Sequence, residues 1–139
     1  MLLPLGWSLY HKEPDTVTGA FAISMALSLG LGLLLWRLTP IGRGKLSRRE
    51  AIILVAGGWL LASVFGALPY QLSGALPNYL DAYFEAMSGF TTTGATVLTS
   101  ISNQYQGILL WRALTQWLGG MGIIMLFVAL FPILGIGAA

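Results

Sequence analysis

The sequence predicts an all-α integral membrane protein in which full spans flank one short helix that dips into the bilayer and turns back. Three observations carry this. Hydrophobic residues make up 56% of the 139 and charged residues only 9%; soluble domains are about a quarter charged, and a soluble core could not absorb so much apolar surface. The charges are also segregated, with no Asp, Glu, Lys, Arg or His from Thr16 to Trp36, Ala51 to Leu80 or Ala113 to Ala139, as membrane spans require. Finally, Tyr79 to Phe90 reads as a helix of about 18 Å, well short of a roughly 30 Å hydrocarbon core. It runs into Thr91-Thr92-Thr93-Gly94, a composition poor for extending a helix or a buried strand.

Met1 to Tyr10 is apolar but too short to cross, and it lacks the basic leader and small-residue cleavage site of a signal peptide. It reads as the outer end of a helix whose remainder is missing. His11, Glu13 and Asp15 are spaced as metal ligands could be, but Pro14 breaks any helix that would align them, so this stretch reads as a solvated turn. Thr16 to Leu38 is the first complete span, with small residues Ala22, Ala26 and Gly30 suited to close helix packing. Between residues 37 and 50, Arg37, Arg43, Lys45, Arg48 and Arg49 face one acid, Glu50. The positive-inside bias puts this loop in the cytoplasm, and a short basic loop between spans is a topology signal rather than a nucleic-acid patch or a lipid-headgroup site. Absence of cysteine excludes disulfides and thiolate metal sites.

Ser47 and Glu50 have the spacing of a capping box for the second span, Ala51 to Leu68. That span carries Gly58, Ala62 and Gly66 at intervals of four, a nearly bare backbone face. Pro69 is expected to end it on the outer side. Asn78 then caps the short helix, with Asp81 in its first turn where negative charge suits the dipole. Thr99 to Gln106 suits an outer loop, making 70–107 external with a re-entrant segment. The third span runs from Ile108 to Leu134 and ends near Pro132, Gly135 and Gly137.

Asn78, Asp81, Glu85 and Ser88 fall on one stripe of the short helix. Asp81 and Glu85 would repel unless one is protonated or a cation is near. Two readings of Glu85 stay open: an ion pair with Arg112 behind the irregular segment, or direct attraction of cations. The helix aims its C-terminal carbonyls and partial negative charge into the membrane, which favours a desolvated cation over an anion. Thr91, Thr92, Thr93, Gly94 and Ala95 can present successive carbonyls to replace water around an alkali cation, and threonine hydroxyls add oxygen ligands. Gly94 can take positive φ cheaply and so aim a carbonyl where strand geometry would not. Lipid offers no hydrogen bonds to this backbone, so it must be enclosed by protein or line a water-filled path.

With these blocks read, the chain resembles the Trk/Ktr/HKT superfamily of potassium transporters, and within it the bacterial TrkH-type pore subunits. The resemblance rests on Asp81 to Thr96 (DAYFEAMSGFTTTGAT), Trp111 to Ile124 (WRALTQWLGGMGII) and Phe131 to Gly137 (FPILGIG), and it extends over essentially the whole chain. It implies transmembrane helices plus a re-entrant pore helix and filter loop. Residues 1–50 resemble a peripheral helix region and 51–139 one helix–pore–helix repeat of four, with the filter at 91–96. By the same resemblance K+ meets the carbonyls of Thr92 and Thr93, Gly94 is the filter glycine, and Asp81, Glu85, Ser88 and Arg112 support the pore. The transported ion is the expected cargo, with no cofactor. The expected location is the bacterial cytoplasmic (inner) membrane, with membrane lipid as partner and a cytoplasmic nucleotide-binding regulatory subunit implied.

One repeat supplies about a quarter of a coordination shell, so conduction would need the remaining repeats, from another chain or by self-association into a fourfold ring. The competing expectation is a non-conducting membrane fragment with a relic pore loop. Gly119, Gly120 and Gly122 read as packing positions rather than a hinge, Trp111 as an interfacial anchor, and Trp59 and Trp117 as helix packing. No nucleophile has a base and an orienting acid, so the chain is not read as an enzyme.

Overall fold

The structure, a computed structural model, describes residues 1–39 and 47–134, including side chains except at 48, 51 and 126–134. Five helices follow in order: α1 (Leu2–Tyr10), α2 (Asp15–Leu38), α3 (Arg48–Leu72), α4 (Tyr79–Phe90) and α5 (Gln106–Leu134). Among the described residues there is no strand. Asp15–Leu38, Ile52–Leu72 and Gln106–Met125 are long and apolar enough to cross a membrane. The chain is therefore an all-α membrane protein, as its composition requires. The expected basic-loop residues Arg43 and Lys45, and the terminal Gly135 and Gly137, lie outside the described residues.

Local chemistry accounts for the starts of α3 and α4. At α3 the Ser47 N–H donates to Glu50 Oε2 at 2.8 Å and the Glu50 N–H to Ser47 Oγ at 3.3 Å, a complete capping box. Asn78 caps α4 by accepting the Leu80 N–H at 3.1 Å, with Asp81 in the first turn. The expected stop at Pro69 is corrected: α3 continues through it to Leu72. Proline removes one N–H but keeps its carbonyl, and the Ser73 N–H still reaches Pro69 O at 3.1 Å, so the ladder resumes downstream.

The core sits toward one end of the bundle. Val17, Ala20 and Phe21 of α2, Ala67 and Tyr70 of α3, Ala82 and Ala86 of α4, and Ile108 and Trp111 of α5 are buried together. These are the early part of α2, the late part of α3 and the early part of α5, which antiparallel passage brings to the same end. The other halves of the spans expose Leu33, Leu34, Ile53, Leu54, Ile124 and Met125. Such apolar surface is stable only against lipid or further protein.

α4 lies between α3 and α5. Gly66 meets the Phe90 ring and Ala86, so the expected small-residue face of α3 serves the short helix at this point, whereas a Cβ at Gly58 would meet nothing within 4 Å. Trp111 is corrected from an interfacial anchor to a core residue: it is 4% exposed and its Nε1–H donates to Gly66 O at 3.0 Å. Trp117, expected to pack, is 61% exposed. On a buried face of α5 the indole finds a carbonyl to satisfy it, and six residues on, the helix has turned that face outward.

Candidate functional site

The segment after α4 is held by the helix's own C-terminus. Thr91 N–H donates to Met87 O at 2.9 Å, Thr92 N–H to Gly89 O at 2.9 Å, and Thr93 and Gly94 N–H to Ser88 O at 2.9 and 3.4 Å. The expectation of free carbonyls at this helix end is thereby corrected for Met87, Ser88 and Gly89, whereas no donor among the described residues reaches the carbonyl of Phe90. The loop supplies the missing donors, because a buried helix end without partners would cost too much.

This capping decides where the loop's carbonyls point. In a planar trans peptide the C=O of one residue runs opposite to the next N–H. With the Thr93 and Gly94 N–H groups aimed back at α4, the carbonyls of Thr92 and Thr93 point away from it. Among the described residues no donor reaches the carbonyls of Thr92, Thr93 or Gly94. The Thr91 carbonyl accepts Thr92 Oγ1–H at 2.7 Å. Ala95 departs from the expected row of outward carbonyls: its oxygen turns back to accept Ser88 Oγ–H at 2.6 Å.

Backbone handedness changes from residue to residue here. Thr91 has φ −88°, Thr92 +56° and Gly94 +75°. Gly94 takes the left-handed region without penalty, as composition suggested. Thr92 was not expected there; a β-branched residue pays about 1–2 kcal/mol for it. Three hydroxyl contacts brace the turn: Thr91 Oγ1–H donates to Met87 O at 2.8 Å, Thr91 and Thr93 Oγ1 share a hydrogen bond at 2.8 Å, and Thr92 reaches back to Thr91 O. The outer surface of residues 92–97 is exposed.

Behind this loop lies a buried charge. Glu85 is 2% exposed, and its Oε1 accepts Arg112 Nε–H at 2.7 Å. Thr96 Oγ1 lies 3.0 and 2.9 Å from the two carboxylate oxygens, and the Val97 N–H donates to Oε2 at 3.0 Å. Thr96 Oγ1 in turn accepts the Leu98 N–H at 3.1 Å. Of the two open readings of Glu85, the pair with Arg112 is the one present, and it ties the exit of the loop to both α4 and α5. A buried carboxylate needs such partners.

Asp81, on the same stripe, is half-buried and makes no ion pair among the described residues. The stripe thus divides, with Glu85 and Ser88 holding the loop from behind and Asp81 apart from it. Sequence reading found Glu85, Ser88 and Arg112 but missed the Val97 amide, which no side-chain pattern announces.

Two close approaches fix α5 against this assembly. A Cβ on Gly119 would overlap the Phe90 carbonyl oxygen, whereas one on Gly120 would meet only the Thr92 methyl at 3.8 Å. Gly119 is accordingly a packing position. At the start of α5, Glu13 was expected in a solvated turn, but both its oxygens approach the Gly107 N–H at 3.1 and 3.3 Å. It caps the first turn of α5 from 94 residues away.

Three long apolar helices and a short helix whose loop turns donor-free carbonyls away from it define a helical membrane protein. The chain belongs to the TrkH family: the family model described as "TrkH: Cation transport protein" matches residues 18–139. It is 42% identical to the Trk system potassium uptake protein TrkH of Escherichia coli K12 over 99% of this chain and 28% of that protein. It is 41% identical to TrkH of Halomonas elongata over 88% of this chain and 26% of the relative, and 36% identical to TrkG of Escherichia coli K12 over the full chain and 28% of the relative. The chain thus spans about a quarter of the length of these relatives. No solved structure matches it.

Proposed function

We propose that this chain forms one wall of a potassium-selective filter in a TrkH-type uptake pore. One observation carries the reading: the loop's N–H groups are spent on the end of α4, leaving the Thr92 and Thr93 carbonyls outward and without protein donors. Carbonyls so arranged replace the hydration shell of an alkali cation. Gly94 lets the path turn without a side chain, while Glu85, Ser88 and Arg112 hold the loop from behind. The names of the relatives, potassium uptake proteins, support K+ as the cargo.

In this reading the remaining walls come from further repeats or from other copies of the chain, because outward carbonyls facing lipid on the open sides would be left unsatisfied. The chain sits in a bacterial cytoplasmic membrane with loop 37–50 inside and 70–107 outside, and a cytoplasmic nucleotide-binding subunit regulates the assembly. An ordered, fully braced loop favours this over a relic pore segment. Potassium flux into vesicles carrying the assembled pore tests it: Gly94→Ser should cut K+ flux and reduce preference over Na+. Flux and preference indifferent to Gly94 would sink the filter assignment.

A further inference from the structure

α2 and α3 meet near their outer ends and leave a long apolar groove between them. Ala26, Gly30 and Leu34 of α2 line one side and Val64 and Leu68 of α3 the other, enclosing about 520 Å³, a volume in the range that holds one small-molecule-sized guest. A second hollow, lined by α2 alone, shares Gly30 and Leu34 with the groove and runs on through Leu33 to Arg37, which is exposed. Arg37 lies seven residues beyond Gly30, about 10 Å along the helix. The groove is therefore apolar along its length, and the α2 face that forms one side of it leads on to a guanidinium near the end of the span, where headgroups lie.

We propose that this groove binds one acyl chain of an anionic phospholipid, whose phosphate pairs with Arg37. Charge complementarity selects this occupant. A neighbouring apolar helix would leave the guanidinium unpaired at its edge, whereas a phosphate accepts its forked donors and the tail fills the trough. Basic hollows between spans hold anionic headgroups by this chemistry. Gly30 keeps the trough open, since a Cβ there meets nothing within 4 Å.

The whole chain in mixed bilayers with spin-labelled phosphatidylglycerol or phosphatidylcholine gives the test, read as the motionally restricted lipid fraction. Arg37 should contribute about fivefold to the preference for phosphatidylglycerol, the ratio one basic residue near the surface supplies, on top of what the other bases of the 37–50 loop give. Arg37→Gln should lower the preference by that factor and leave phosphatidylcholine unchanged. Gly30→Leu should lower the restricted fraction of both lipids, while Gly32→Leu, equally free of clashes but off the groove, should change neither. If the preference is unchanged by both Arg37→Gln and Gly30→Leu, it belongs to diffuse charge and the groove site is wrong. If restricted lipid appears only when the chain is diluted to monomers, a second copy fills the groove and the proposal is likewise overturned.

Discussion

Replacing Glu85 with Gln isolates the buried charge that ties the loop down. The side chain is 1% exposed and that of Arg112 19%, so the pair is little screened on one side and partly screened on the other. Gln keeps the volume but offers one acceptor oxygen in place of two, and its amide N–H2 would face Arg112, Thr96 or Val97, all donors here. Breaking one partner of a buried pair costs about 3–5 kcal/mol, and the partial exposure of Arg112 sets the expectation at the lower figure. About 3 kcal/mol is roughly two powers of ten in an equilibrium constant. Two readouts apply to the chain in micelles: equilibrium unfolding by a denaturing detergent, and hydrogen exchange at the Val97 amide. Both should shift, the second because Val97 loses its acceptor. Adding Arg112→Gln should cost less than the sum of the single changes, because the second removes a cation already orphaned. An unchanged midpoint together with unchanged Val97 protection would refute the reasoning.

Other outcomes follow from neighbouring contacts. Gly119→Ala should destabilise by about 1–3 kcal/mol, since the new methyl meets the Phe90 backbone, while Gly120→Ala should be near neutral; equal effects would contradict the packing described. Glu13→Ala should cost about 1 kcal/mol and expose the Gly107 amide to exchange, and continued protection of that amide would remove Glu13 as its cap. Hydrogen bonds from Ser47, the backbone N–H first and then the hydroxyl, hold the Glu50 carboxyl below its ordinary value of 4.5. A depressed folded value means the box stabilises above the unfolded pKa and is lost as pH falls through the lower one. The Ser47 amide resonance should therefore titrate with a midpoint below 4.5, and a midpoint at or above it would show the box unformed.

Much of this protein was legible in one dimension because membranes and caps impose local rules. Charge-free stretches of span length, Ser47 with Glu50 and Asn78 before Tyr79 all act within a few residues, and the helices begin where these signals say. Residues facing each other across the fold were harder to read. Glu85 and Arg112 could be paired on paper because charges are scarce here, so a lone base near the two acids of α4 stands out. Gly107 gave no hint of Glu13, nor Val97 of Glu85, because a backbone N–H is present at every residue and carries no distinguishing mark.

Pro69 and Trp111 show the same division. A proline reads as a stop and a tryptophan near a span end as an anchor, yet the backbone ladder resumed past the one, and packing against Phe21, Gly66 and Phe90 buried the other. Taken alone, the sequence determined that Tyr79 to Phe90 is a helix too short to span, followed by backbone that lipid would not tolerate. Tertiary structure decided which way that backbone faces. The end of α4 needs donors, so the N–H groups of Thr92, Thr93 and Gly94 turn inward, and planar peptides leave the Thr92 and Thr93 carbonyls no direction but outward.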